Sequence, residues 1–350
     1  MQKIPVLSVL ALLAGAAATV QAQNHQNPLV ITASNATQNQ LLVYDTTAKL
    51  IQTVATHGQG GVSGNAGGIA ASGDLVAAVN FGSKSVSIFQ RDSNSFHLKQ
   101  MVPAVAPPVS VAFSSDHLYI LDTTKVESHR MFGMGVNSNP DGVASLLKAD
   151  GSSAQVGVVE RQLIITEKSN AIETVNLLND GSVTGFAASV TNIPANVNTP
   201  FGLVTRGNNA YVTIAHADET ALVRNGAVLT VTPSGTQHAP CWLALVGPFL
   251  YSSNSPSMSV SRYAVYGQKI VQDAAVAATF SGAPTDIASG GGFVAVIDGS
   301  GTAPNQVTHL SVFSVDEDGN LTSKGVATIS GAANGAAVVL GGGGGERGDD

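Results

Sequence analysis

Short apolar strands return in the same order seven times along this chain, and that repetition limits the fold more than any other feature. One unit is complete between Gln237 and Val265. An apolar run begins at Pro240-Cys241-Trp242-Leu243-Ala244, Gly247-Pro248 supplies a tight turn, Phe249-Leu250-Tyr251 forms a second run, and a polar loop leads into alternation through Val260 and Tyr263. The opening of its innermost strand recurs as Ala66-Gly67-Gly68-Ile69-Ala70, Pro108-Val109-Ser110-Val111-Ala112, Ala154-Gln155-Val156-Gly157-Val158, Pro200-Phe201-Gly202-Leu203-Val204, Pro284-Thr285-Asp286-Ile287-Ala288 and Ala333-Asn334-Gly335-Ala336-Ala337. Successive starts lie roughly 40 to 49 residues apart, the length of a four-stranded blade. Seven such starts predict an all-β chain folded as a seven-bladed β-propeller.

Six of the seven openings are followed by a second apolar strand, such as His117-Leu118-Tyr119-Ile120-Leu121-Asp122 or Phe293-Val294-Ala295-Val296-Ile297-Asp298. The seventh has none after it. At the other end of the chain, Leu29 to Ser34 and Leu41 to Asp45 supply a second and a third strand with no first strand before them. The N-terminal strands are therefore expected to complete the last blade, which ties the chain ends together and leaves only short edges. Between Val126 and Ala149 the repeat is least regular, and these residues are expected in the outer strands of the second blade.

Met1 to Ala22 reads as a secretory signal peptide, with Lys3 as the charged start, an apolar stretch from Val6 to Ala18 and Val20-Gln21-Ala22 as a small-residue cleavage site. That stretch is shorter than the roughly 20 residues a membrane-spanning helix needs, and no later segment is long enough. The expectation is an exported chain with no membrane span, a single propeller domain over 23–340 and a flexible Gly-rich tail over 341–350. Asn35-Ala36-Thr37 and Asn320-Leu321-Thr322 are glycosylation sequons in loops or at strand edges. Cys241 is the only cysteine, so stability has to come from packing between blades. With 44% hydrophobic and 11% charged residues and a net charge of −7, without Lys or Arg clusters, the chain is globular and unsuited to nucleic acid.

In a propeller, the loops leading into each innermost strand and the loops joining second to third strands open on one face, beside the central channel. Polar residues in these two loop classes converge although far apart in sequence, and the partner expected there is a small molecule. The first class holds Asn65, Gln155, Asn198, His238, Asp286 and Asn334; the second holds Lys84, Glu167, Lys168, His216, Asp218, Glu219 and Asn254. Glu167, His216 and His238 come from adjacent blades and form the grouping with general acid and base character, since His titrates near neutral pH and a carboxylate beside it can orient the ring. Asp286, Asn334 and His238 offer oxygen and nitrogen donors, but no compact ligand spacing supports a metal, and no cofactor-binding motif appears in suitable context. No metal or cofactor is expected.

The segments Ala144 to Gly157, Leu163 to Ile172, Thr199-Pro200-Phe201-Gly202 and Ala239-Pro240-Cys241-Trp242 resemble successive blade motifs of the lactonase-type seven-bladed propeller family, which includes proteins similar to 6-phosphogluconolactonase and 3-carboxymuconate cyclase. The resemblance spans nearly the whole chain after the signal peptide. It implies metal-independent opening or closing of a lactone on the channel face, with His, Glu and Arg side chains handling protons and anions. The inner loops here carry no Arg, the residue best suited to grip a phosphate, and an exported protein would not meet a cytosolic sugar phosphate. The expected activity is therefore hydrolysis or isomerisation of a small lactone or related carbonyl compound. His238 or His216 would act as base, Glu167 as its partner, and Asn198 and Gln155 as donors to the oxyanion, with Phe201, Trp242, Asn65, Asp286 and Asn334 as further substrate contacts. The competing expectation is a non-catalytic binding or cell-surface propeller whose ligand rests on Trp242, Phe201 and loop amides.

Overall fold

Strands that read as unbroken apolar runs are those covered on both faces. Leu29–Ala33, Leu75–Asn80 and His117–Asp122 are buried at every residue, because each is a middle strand with a neighbouring blade against either side. Outermost strands such as Leu50–Ala55 and Lys269–Thr279 mix exposed and partly covered positions instead. The computed structural model describes residues 27–189, 198–301 and 306–341. The expected signal peptide over 1–22 lies outside them, as does all of the expected tail over 341–350 except Gly341.

Seven antiparallel sheets form, and they are the blades of a β-propeller. Their innermost strands are Ile69–Ser72, Pro108–Phe113, Ser153–Val159, Pro200–Arg206, Pro240–Val246, Ala283–Gly290 and Asn334–Val339, which are the seven repeated openings. No helix long and apolar enough to cross a membrane occurs among the described residues. Tyr119, Tyr211, Tyr251 and Tyr263 are fully buried, and two of their hydroxyls bond out of the core: Tyr119 donates to Gly181 O at 2.8 Å and Tyr251 to Gly319 O at 2.6 Å. Each such aromatic side chain contributes roughly 1.5–3 kcal/mol through burial.

The seventh blade closes the ring. Its innermost strand pairs antiparallel with Leu29–Ala33, in a register running from Leu29 opposite Val339 to Thr32 opposite Ala336. Gln40–Tyr44 and Leu50–Ala55 follow as third and fourth strands, so the N-terminal segment supplies one strand more than its pattern announces. Buried Arg91 of the first blade fastens the seam: Nη1 donates to Val339 O at 2.8 Å, Nη2 to Asn27 O at 2.7 Å and Nε to Ser93 O at 2.7 Å.

The irregular stretch after Val126 is an elaboration of the second blade. Lys125–Phe132 folds back through Gly135–Val136, Gly142–Ser145 makes the fourth strand, and Gly185–Phe186, from the chain of the third blade, adds a parallel edge. The third blade is left with only Ala188–Ser189 as its outermost strand.

One connection departs from the others. Residues 56–68, between the seventh and first blades, form a strap over the channel mouth. Asn35 accepts from the backbone N–H groups of Gly61 and Val62 and donates to Val62 O, which occupies the amide of the first sequon. Lys168 donates to Gly64 O, Trp242 Nε1 to Asn65 O at 3.0 Å, and Ala66 N–H to Ala154 O at 3.1 Å. Gly67, at φ +64°, passes so near the second blade that a Cβ would lie 2.9 Å from Ser110 Oγ. The strap is thus held by the second, third and fifth blades as well as by the two it joins.

Candidate functional site

The channel wall is set by a bulge near the start of six of the seven innermost strands. Register shifts fall between Pro108 and Ser110, Ser153 and Gln155, Pro240 and Trp242, and Pro284 and Asp286. A bulge re-aims the side chain that follows it, and Gln155, Trp242 and Asp286 accordingly line a central cavity of about 200 Å³ with Ala66, Gly67 and Ile69 at its strap side.

Each of these groups is fixed by neighbours. Gln155 Oε1 accepts from Leu203 N–H at 2.6 Å. The Trp242 ring meets Phe201 edge-on at 5.0 Å between centroids, and Phe201 packs with Ala66, Ala154 and Ala215, so the mouth beneath the strap is filled by apolar contacts. Asn65 and Asn334 bind each other, Asn334 Nδ2 donating to Asn65 Oδ1 at 2.7 Å, while Asn65 Nδ2 also donates to Val109 O at 2.6 Å. Asp286 accepts from Ile287 N–H at 2.8 Å, and burial pushes its carboxyl up to about 7 although backbone N–H groups oppose the shift. The Cys241 thiol, which donates to Ala239 O, is likewise pushed up to about 11 by burial, so it stays protonated and unreactive at neutral pH.

A second group of polar residues stands on the rim between the fourth and fifth blades. His238 Nδ1 lies 2.9 Å from Asp218 Oδ2, and Asp218 Oδ1 accepts Ala239 N–H at 2.7 Å. Burial acts to raise the Asp218 carboxyl, but the hydrogen bonds from His238 and Ala239 outweigh it and hold the group below the ordinary carboxylate range. An ionised carboxylate only accepts, so the shared proton sits on His238 Nδ1 and Nε2 is the ring nitrogen turned away from Asp218. The His238 side chain is 67% exposed. His216, on the 3₁₀ turn Ala215–Ala217, has Nδ1 3.0 Å from Thr199 Oγ1, and its backbone N–H donates to the carbonyl of exposed Asn198.

The expected trio of Glu167, His216 and His238 is not assembled as such. His216 and His238 share the rim with Asp218, whereas Glu167 is fully buried and accepts from Ser152 Oγ at 2.7 Å. Its position explains why. The last residue of the second strand is also Asn80, Asp122 and Asn254 in other blades, and Asp298 holds the same register place in a strand that continues to Ser300; all are buried. Asn80 donates to Ser87 Oγ and Asn254 to Ser261 Oγ, each at 2.8 Å, while Asp122 accepts the N–H groups of Thr124 and Lys125. Glu167 belongs to this set of turn-holding groups. Nor does it pair with Lys168, whose Nζ reaches the strap.

Asp286, Asn334 and His238 do not form one site either: Asp286 accepts from the backbone just after Asn334, whose own amide is bound to Asn65, and His238 is on the rim with Asp218. Among the described residues no cluster of three or more His, Cys, Asp or Glu side chains is arranged to hold a metal ion.

No protein-family model and no curated protein matches this chain. Solved structures do. A protein from Bacteroides fragilis, provisionally named a 6-phosphogluconolactonase, superposes with a TM-score of 0.65 at 15% identity, covering 91% of this chain and 99% of its own. One of the same provisional name from Bacteroides uniformis gives 0.61 at 15% identity over 86% and 99%, and a protein from Lactobacillus plantarum gives 0.63 at 16% over 90% and 99%. At such identities the likeness is one of fold, and what this chain shares with them is the propeller scaffold.

Proposed function

We propose that this is an exported, lactonase-like propeller that hydrolyses or isomerises a small lactone or related carbonyl compound at the rim between its fourth and fifth blades. The observation that carries the reading is the 2.9 Å pairing of exposed His238 with Asp218. Asp218 fixes the imidazole so that Nε2 faces solvent as a base. In hydrolysis, Nε2 takes a proton from water as the water oxygen bonds to the lactone carbonyl carbon, and the imidazolium is stabilised by Asp218. When the ring C–O bond breaks, Nε2–H returns the proton to the departing alkoxide, giving a hydroxy acid. Asn198 stands on the same rim as an amide donor. The fold shared with two provisionally named lactonases agrees with this chemistry, and the arginine-free inner loops favour a substrate without phosphate. Asn320, exposed at an edge, is the sequon better placed for a glycan.

A second reading, a non-catalytic ligand-binding propeller, is favoured by the strap, which fills the channel mouth where a substrate would otherwise enter. One experiment separates them: acid release by the purified protein on a lactone panel, followed with a pH indicator, with and without chelator. His238→Ala and Asp218→Asn are expected to lower turnover by about 100-fold or more, the scale of a lost general base, with melting temperature unchanged because His238 is exposed. Full turnover by both variants would refute the assignment, and silence of the wild type across the panel would favour the binding reading.

A further inference from the structure

The channel behind the strap holds an acidic group for which the rim chemistry has no use. Asp286 is the one ionisable side chain among those lining the central cavity. It is 5% exposed, and among the described residues no cationic side chain forms an ion pair with it. The backbone N–H groups of Ile287, Gly335 and Ala336 hold the carboxyl in place. They orient it but bring no net charge to balance it, and a carboxylate has about four lone-pair sites, so one remains for a ligand. An unpaired buried charge is costly, and a cation entering the cavity would remove that cost.

The rest of the wall specifies which cation. Ile69, Leu203, Leu243 and Ala288 make it aliphatic, and Trp242 adds an indole whose only N–H is already committed to Asn65. A carboxylate and an aromatic ring in an apolar enclosure suit an organic ammonium ion, whereas a hard metal ion needs about six oxygen ligands. About 200 Å³ is below the roughly 300–1,000 Å³ of sites for drug-sized ligands, so the guest is small. A route into the cavity is present as well. A second cavity of about 290 Å³ shares Gly67, Ile69, Gln155, Leu203 and Val204 with the first and continues to Phe113, Val158 and Thr205, which are half-exposed at the far ends of their strands. We propose that the channel binds a small organic ammonium ion, entering from the face opposite the strap, with its charge on the Asp286 carboxylate and its carbon skeleton against Trp242 and the aliphatic wall.

Trp242 is the only tryptophan, so its fluorescence reports on this cavity alone. The protein is titrated with n-propylammonium chloride, with sodium chloride as the ionic-strength control and butan-1-ol as a neutral molecule of similar shape. The expected result is a saturable change in emission with the ammonium salt alone, weakened at least tenfold in Asp286→Asn. Ala288→Leu, which fills the cavity and leaves the carboxyl intact, is expected to lose the response too, and it decides the matter if Asp286→Asn does not fold. A response that does not saturate, an equal response to butan-1-ol, or wild-type binding by Ala288→Leu overturns the proposal.

Discussion

Glu167 stores a pH dependence in the fold. Burial raises its carboxyl to about 7, with Glu173 and Asp150 adding to the rise while Ser152 and Lys168 oppose it, and its Oε1 is buried without a hydrogen-bond partner. In the unfolded chain the same group releases its proton near 4.5. Between those values the folded state holds a proton that the unfolded state has lost, so this contribution to stability is complete below about pH 4.5 and disappears as the pH rises through 7. Asp286 acts with the same sign. The melting temperature of Glu167→Gln is therefore expected to fall less than that of the wild type between pH 5.5 and 8, by a few degrees in a thermal melt; parallel curves would show that Glu167 is ionised when folded. At this scale the residue types were legible and their pairing was not. His238 could be picked out as a candidate from its loop, but the carboxylate it meets depends on Asp218 adopting φ +55°, which no pattern of residue types announces.

Among the elements, contact between neighbouring blades is set by small residues as much as by large ones. Gly202 lies against the fifth blade: a Cβ there would fall on the Cys241 carbonyl oxygen and within 2.8 Å of Trp242 Cα. Gly202→Ala is expected to push the fourth and fifth blades apart at the channel and to cost about 1–3 kcal/mol, the usual range for overpacking, measured by denaturant unfolding; a neutral result would mean that the two strands slide freely. The blades were readable because each second strand is a continuous apolar run and each bulged first strand restarts at a Pro or small residue. The strap was not. Gly58-Gln59-Gly60-Gly61 has the composition of an ordinary connection, and its course over the channel is imposed by Asn35, Lys168 and Trp242, which lie about 25 to 180 residues away in sequence. The Gly185–Phe186 edge was hidden for a similar reason, since two residues carry no periodicity.

For the whole molecule, integrity rests on one seam, where Leu29–Ala33 meets Asn334–Val339 and Arg91 reaches across to both chain ends. Arg91→Ala is expected to destabilise by about 3 kcal/mol, because buried carbonyls lose charged donors, and to increase hydrogen exchange first in those two strands; exchange spread evenly over all blades would show that the seam is not where opening begins. Closure by the N-terminal strands could be read from the sequence because a second and third strand stood there without a first. The same seam has a consequence for how the protein is made. A ribosome delivers Leu29 first and Val339 some three hundred residues later, so the earliest strands leave the tunnel with one edge unpaired and keep it so until that partner strand follows. Ring closure therefore waits for Asn334–Val339, and a nascent chain halted before Asn334 presents an open hydrogen-bonding edge to whatever strand comes near it.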